Sequence, residues 1–574
     1  MKASFDKALY AALCGEAISP DTPLGTVSGA VLDKAVEQYR RADAEYRDRE
    51  RRIVPASLAL HARVTCADPL LAEQIVGLKR VLRSRSRAVS LRFVMAHFRN
   101  AVVGLCPCVL ATPDAVAQRF GWGPLFDLAI FDEASQIDTA HAVGVLERCR
   151  QVIVAGDPQQ LPPTSFFERQ RQVAEGVTTL EELLLAGGES LLDDCLAAGL
   201  ARVNLRWHYR SRHESLISFS NRRFYDGRLH TFPSPDDRVS RVQVRRVEGT
   251  YDGAGVNRAE AEAIAAYVED LWRADPETPP NLGVITFNVR QQAVVEEMLA
   301  ERYAADEGFR AWAESGSEPL FVKNLENVQG DERDVILLSV TYGPDGEGRV
   351  SQRFGPVNVR GGERRLNVAF TRARRSLTVF STMRSGQIDV SFATSEGARV
   401  LRDFLAYAEK GTPGLRDADG ATGQDGEAED AIDVTDAFEM GEAGAWVDAE
   451  AAASADAGDA CALPGAAPAR DALAASLAQA LEREGWKVVP DVGASSFKVD
   501  LAVVDPDCPD RYLAGILLDG ASYRAARTTR DRDIARDEML EGLGWRIAHV
   551  WAIDCLGGFD RVVRSLNLFL RQCR

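Results

Sequence analysis

The 574-residue chain predicts an α/β protein of several units, with parallel sheets in its central part. Three features carry that expectation. Short apolar runs ended by turn residues recur from Cys106 onward, helical stretches separate them, and a long acidic segment sets off a second, smaller α/β pattern near the carboxyl end. Runs of that kind are the pattern of strands buried on both faces, whose carboxyl ends are where such folds place their chemistry.

Length alone predicts more than one core, since a unit takes roughly 100 to 200 residues. Residues 29 to about 60 are charged, with apolar residues spaced along one face, and predict a long stalk helix. The apolar runs that follow are VVGLCPCVLATP, LFDLAIFDEAS, QVIVAGDPQQLPP, NLGVITFN, DVILLSVTYG and SLTVFSTM, each expected to hold a strand. From about 410 to 468 the chain is mostly Ala, Gly, Asp and Glu. Such a segment cannot offset its ordering entropy by burial and reads as an acidic, disordered linker, with Phe438 and Trp446 as a conceivable docking patch. Beyond it, a helix and the runs SFKVDLAVVD, RYLAGILLDG and GWRIAHVWAID predict a small α/β domain.

The net charge of −17 at first argues against a nucleic-acid partner. Residues 417–459, however, hold fourteen Asp or Glu and no Lys or Arg, so the rest carries only about −3. A near-neutral body binds a strand through a local basic groove, because phosphate contacts depend on charges beside the track. The ten cysteines include one close pair, Cys106 and Cys108, without further ligands at zinc spacing, and read as reduced thiols. With no apolar run of about 18 residues and no convincing signal peptide, the expectation is a cytoplasmic protein without a membrane partner.

AIFDEASQ places Asp132 and Glu133 at the end of an apolar strand. Phosphoryl transfer from a nucleotide needs one acid to hold magnesium and a second group to orient water, and adjacent residues on a strand end can do both. A lone Asp-Glu pair is weak evidence, but a second apolar run ends in GDPQQLPP, where Gly156 and Asp157 turn the chain and Gln160 is placed to sense a γ-phosphate.

FDEASQ and GDPQQLPPTSFF resemble motifs II and III of superfamily 1 helicases, in the branch of the nonsense-mediated-decay RNA helicase. NLRWHYRSRHESLISFSN, VITFNVRQQ, ENVQGDERDVILLSV and RRLNVAFTRARRSLTVF resemble later motifs of the same family, in family order. The likeness is closer still to large bacterial proteins that join this motor to a nuclease-like domain. The resemblance implies two RecA-like, P-loop-NTPase-type lobes, the first incomplete, and a small restriction-endonuclease-like domain. The expected boundaries are a helical stalk or insertion region at 1–100, a partial first lobe at 101–198, the second lobe at 199–408, the linker at 409–468 and the last domain at 469–574. It also implies ATP and Mg²⁺ as cofactors and nucleic acid as partner, leaning towards single-stranded DNA and 5′ to 3′ movement, in repair or defence against foreign DNA.

Residue by residue, the resemblance makes Asp132 the Mg²⁺ ligand, Glu133 the general base and Gln160 the coupling residue. Arg210 and Arg372 become the guanidinium fingers that stabilise the transferring phosphoryl group. Tyr209 would stack on the adenine, Gly330 and Glu332 would close the ribose and phosphate site, and Thr112 and Pro113 would touch the nucleic-acid backbone. The phosphate cradle G-x-x-x-x-G-K-[ST] has no match, since no lysine is followed by Ser or Thr in a glycine-rich setting. The chain therefore reads as the C-terminal portion of a longer protein, a split-gene product or a degenerate copy, needing an upstream segment or chain to hydrolyse ATP.

Residues 469–574 resemble a very-short-patch-repair-like nuclease domain, in which Asp500 and Asp519 are metal-ligand candidates, with Asp531 and Asp533 as further acids. The family pattern I-E-C-D-G followed by histidine is broken by Leu517 and Arg524. That favours a degenerate, DNA-holding domain over an active nuclease. Two readings stand beside the helicase: a non-catalytic DNA-binding remnant, and a metal-dependent nuclease with the motor lobes as a clamp.

Overall fold

The computed structural model describes residues 26–83, 89–163, 190–278, 281–389, 395–411 and 472–574, apart from 496, 525 and 527, plus a few isolated positions. The linker expected at 409–468, with Phe438 and Trp446, lies almost wholly outside the described residues. By contacts the chain divides into two units, residues 38–202 and residues 1–37 with 203–574.

Helix α1 runs over Gly29–Ala67, past the predicted end, with Pro55 inside it. Its middle is laced by i,i+4 pairs, Arg47 with Asp43 at 2.8 Å and Arg52 with Asp48 at 2.7 Å. In the unit of residues 38–202, α2 (Ala72–Arg83) and α3 (Leu91–Leu105) follow, then α4 (Pro113–Arg119). Strands β1 (Phe126–Phe131) and β2 (Cys149–Val154) form a two-stranded parallel sheet, joined through α5 (Thr139–Leu146). Ala129 and Phe131 pack with Ala134, Ala142, Leu191 and Leu192 on one face. On the other face Leu128, Ile130 and Ile153 are exposed.

The strand expected in VVGLCPCVLATP is not formed. Val102–Leu105 complete α3, whose Ala101 is fully buried, and residues 106–111 have no regular structure, with Leu110 96% exposed. A strand exists only through ladder bonds to a neighbour, and among the described residues β1 pairs with β2 alone.

The other unit contains a five-stranded, wholly parallel sheet. In chain order its strands are β3 (Val242–Arg246), β4 (Leu282–Thr286), β5 (Phe321–Asn324), β6 (Arg333–Ser339) and β7 (Ala373–Ser381), in the spatial order β3-β7-β6-β4-β5. Every residue of β4 is buried, as a central parallel strand requires. Helices Arg258–Ala274 and Val289–Ala305 contribute Ile264, Val268, Val295 and Leu299 to its core. The same unit carries a four-stranded sheet of β8 (Val488–Val492), β9 (Val499–Val504), β10 (Tyr512–Leu518) and β11 (Ile547–Val550), antiparallel except for the β10/β11 pair.

These two sheets are fastened by the segment 229–237. Phe232 belongs to the core formed by Val492, Val504, Leu517, Leu540 and Trp545. The Trp545 indole N–H donates to the Pro233 carbonyl at 2.7 Å, and the Tyr512 N–H to that of Pro235 at 2.8 Å. Thr231 and Ser495 exchange two hydrogen bonds, and the Trp207 and Phe497 rings pack at a tilt around Phe232. No helix among the described residues is long and apolar enough to cross a membrane.

Candidate active site

At the carboxyl end of β1 the chain turns sharply, with Glu133 in the left-handed region at φ 52°. A non-glycine residue holds that conformation only when its surroundings enforce it. Here the Asp132 carboxylate accepts the Glu133 N–H at 2.9 Å, and the Gln136 amide donates to the Glu133 carboxylate at 3.2 Å. Both acids are exposed.

The end of β2 is packed against this turn. A Cβ at Gly156 would stand 3.0 Å from the Ser135 nitrogen and 3.2 Å from that of Ala134, so only glycine lets the two turns touch without displacement. Asp157 then accepts the Gln159 N–H at 2.9 Å and the Gln160 amide at 3.0 Å. Asp132, Glu133 and Gln160 are thereby gathered at neighbouring strand ends. Asp132 fits a single-carboxylate magnesium ligand: one oxygen is taken by its own turn, and the other has no partner among the described residues. Thr112 and Pro113 start α4, with Thr112 as N-cap accepting the Ala115 N–H at 3.4 Å and Pro113 at the first helical position.

In the second unit, Arg210 donates to the Glu332 carboxylate at 2.7 Å. The other Glu332 oxygen receives Arg374 at 2.6 Å. Burial works to raise the Glu332 pKa, but the two guanidinium groups outweigh it and hold the carboxyl below its ordinary range. Gly330, at φ +86°, turns the chain just before this acid. Tyr209 is 80% exposed beside Arg210.

Arg372 is placed differently. It is buried, its Nε donates to the Val368 carbonyl at 2.8 Å and its Nη1 to that of Asp331 at 3.4 Å, so its guanidinium is held within the lobe. The arginine that joins Arg210 at Glu332 is Arg374, two residues on, which sequence reasoning passed over. The repeated arginine of TRAR was the available signal.

Glu260 was also missed. Fully buried, it accepts Ser339 Oγ and the Thr341 N–H at 2.7 Å and the Thr382 N–H at 3.1 Å, behind the ends of β6 and β7. Burial pushes its carboxyl up to about 7 despite these donors.

In the C-terminal domain, Asp500 accepts the Leu518 N–H at 2.8 Å and pairs with Arg536 at 3.3 Å. Asp519 accepts the Ala552 N–H at 2.8 Å, at the start of the last helix. Asp531 and Asp533 lie in the π-helical turn Asp531–Ala535, where Asp533 accepts the Tyr523 hydroxyl at 2.8 Å. No group of three or more His, Cys, Asp or Glu side chains among the described residues is arranged to hold a metal ion.

Family models match three stretches of the chain. Residues 70–168 match the family AAA_11 and residues 188–384 the family AAA_12, both described as AAA domains, and residues 474–568 match the family REase_MTES_1575. The chain therefore carries AAA-type segments of the helicase kind followed by a domain of the restriction-endonuclease kind. It is 34% identical over 295 residues to an uncharacterized ATP-dependent helicase, MG140, of Mycoplasma genitalium, a match covering 50% of this chain and 26% of that protein. A mouse protein named 5'-3' DNA helicase ZGRF1 is 27% identical over 270 residues, covering 45% of this chain and 13% of its own length. The chain thus spans about a quarter or less of these relatives. The solved PRRSV helicase is similar over 46% of this chain and 37% of its own, at 14% identity and a TM-score of 0.23.

Proposed function

We propose that this chain supplies the hydrolysis and coupling residues of an ATP-dependent superfamily 1 helicase or translocase acting on nucleic acid. The observation that carries this reading is the exposed Asp132–Glu133 pair at the end of β1, held against the β2 turn that presents Gln160. An acid for Mg²⁺, an acid for the attacking water and an amide for the γ-phosphate are the set that phosphoryl transfer from ATP uses. Arg210 with Arg374, bridged by Glu332, supports a nucleotide-facing cationic cluster in the second lobe, and Arg372 stands just behind it. The phosphate cradle comes from a segment or chain outside this sequence. Resemblance favours single-stranded DNA as the track, 5′ to 3′ movement, a cytoplasmic setting and a role in repair or defence; these are arguments from fold analogy.

The test is DNA-stimulated ATP hydrolysis. The chain alone shows none, and adding the P-loop-bearing segment restores it and makes it sensitive to Glu133→Gln. Turnover by the chain alone would overturn the composite site, and no turnover with the segment present would favour a non-catalytic DNA-binding protein.

A further inference from the structure

We infer that the C-terminal domain holds no catalytic divalent cation and that Arg536 is the fixed counter-ion of Asp500. Nucleases of the restriction type hold Mg²⁺ between carboxylates on neighbouring strands. The antiparallel register of β9 and β10, in which Leu501 faces Ile516, sets Asp500 opposite position 517. Side chains so placed stand within reach of one another on one face of the sheet. A carboxylate at 517 would complete a metal pair, but Leu517 stands there, 2% exposed and packed with Val499, Leu540 and Trp545.

The charge of Asp500 is answered from inside the domain. Arg536, 4% exposed, reaches Asp500 at 3.3 Å and donates to the Lys498 carbonyl at 2.5 Å. Asp519, the other candidate, caps the last helix through the Ala552 N–H. Of the remaining acids, Asp533 is held by Tyr523 and Arg532, and Asp537 by His549 at 2.8 Å. Phe232 belongs to the same buried cluster as Leu517, and the positions from which a second acid and a metal would answer Asp500 are taken by leucine and arginine. A permanent guanidinium satisfies the carboxylate without a metal ion, and removing it would leave a largely buried charge without this counter-ion.

The inference is independent of the helicase proposal, and its test uses Mn²⁺ titration calorimetry on the full chain. To keep the motor acid out of the readout, the titrations are done in the Asp132→Ala background. Adding Asp500→Asn is expected to leave the isotherm unchanged. Adding Leu517→Glu with Arg536→Gln is expected to create one new Mn²⁺ site, which Asp500→Asn then removes. Stoichiometric Mn²⁺ binding lost on Asp500→Asn alone would overturn the inference. Because the double variant could fold poorly, thermal unfolding supplies a second measurement. Arg536→Gln is expected to lower the melting temperature and Asp500→Asn to recover part of that loss, whereas simple additivity of the two losses would contradict the counter-ion role.

Discussion

Glu214 shows how one side chain makes the joint between the parallel sheet and the C-terminal domain sensitive to protons. It is buried, accepts the Thr231 hydroxyl on one oxygen and the Ala494 N–H at 2.9 Å on the other, and its pKa is pushed by burial from 4.5 up to about 7. A carboxyl raised in the folded state binds its proton there while the unfolded chain has released it. The contribution of this group to stability is therefore full below pH 4.5 and lost as pH rises through about 7, on the order of 3 kcal/mol for a shift of this size. Glu260 titrates in the same window with the same sign. Glu214→Gln is accordingly expected to flatten roughly half of the fall in urea midpoint between pH 4.5 and 7.5. An unchanged slope would assign the dependence elsewhere. Neither residue was legible in the sequence, because Glu214 meets Ala494 across 280 positions and Glu260 meets Thr341 and Thr382 across 81 and 122. Arg210 and Glu332 were legible because their motifs carry them; that Arg374 joins them while Arg372 turns inward depends on side-chain direction after the Thr371 turn.

Among the elements, five of the six apolar runs expected as strands contain β1, β2, β4, β6 and β7. In β4, β6 and β7 most residues are buried between neighbouring strands and helices, whereas β1 and β2 keep one exposed face; in all five the apolar run ended by turn residues is what the sequence reports. The sixth failed because an apolar run is only permissive; without a ladder partner Cys106–Ala111 stays irregular while Val102–Leu105 extend a helix. The contact between the β1 and β2 turns depends on a single missing Cβ. Gly156→Ala would bring a methyl to 3.0 Å from the Ser135 nitrogen, within backbone that cannot yield as a flexible side chain does. It is expected to destabilise residues 38–202 by about 1–3 kcal/mol, the usual range for overpacking. Hydrogen exchange at Ala134 and Ala155, which bond across these turns, should report the change first.

On the scale of the whole molecule, an α/β organisation with a separate C-terminal sheet was readable from punctuation and composition. What could not be read was the join. The segment 229–237 contains Thr-Phe-Pro-Ser-Pro, which as sequence is an ordinary loop, yet Phe232 serves as a core residue of a sheet whose strands begin some 250 residues later. Nothing local distinguishes such a residue, since its burial is decided by a distant part of the chain.

Phe232 has a consequence for covalent continuity. A single protease cut between residues 412 and 471 should leave two polypeptides that still travel together through gel filtration, because the ring and the Trp545, Tyr512 and Ser495 bonds hold them without the connecting peptide. Phe232→Ala, costing about 3–5 kcal/mol for a buried phenyl group, should let the nicked C-terminal piece elute by itself. The peptide bond between the parallel-sheet lobe and its companion would then be dispensable, and one phenylalanine would not.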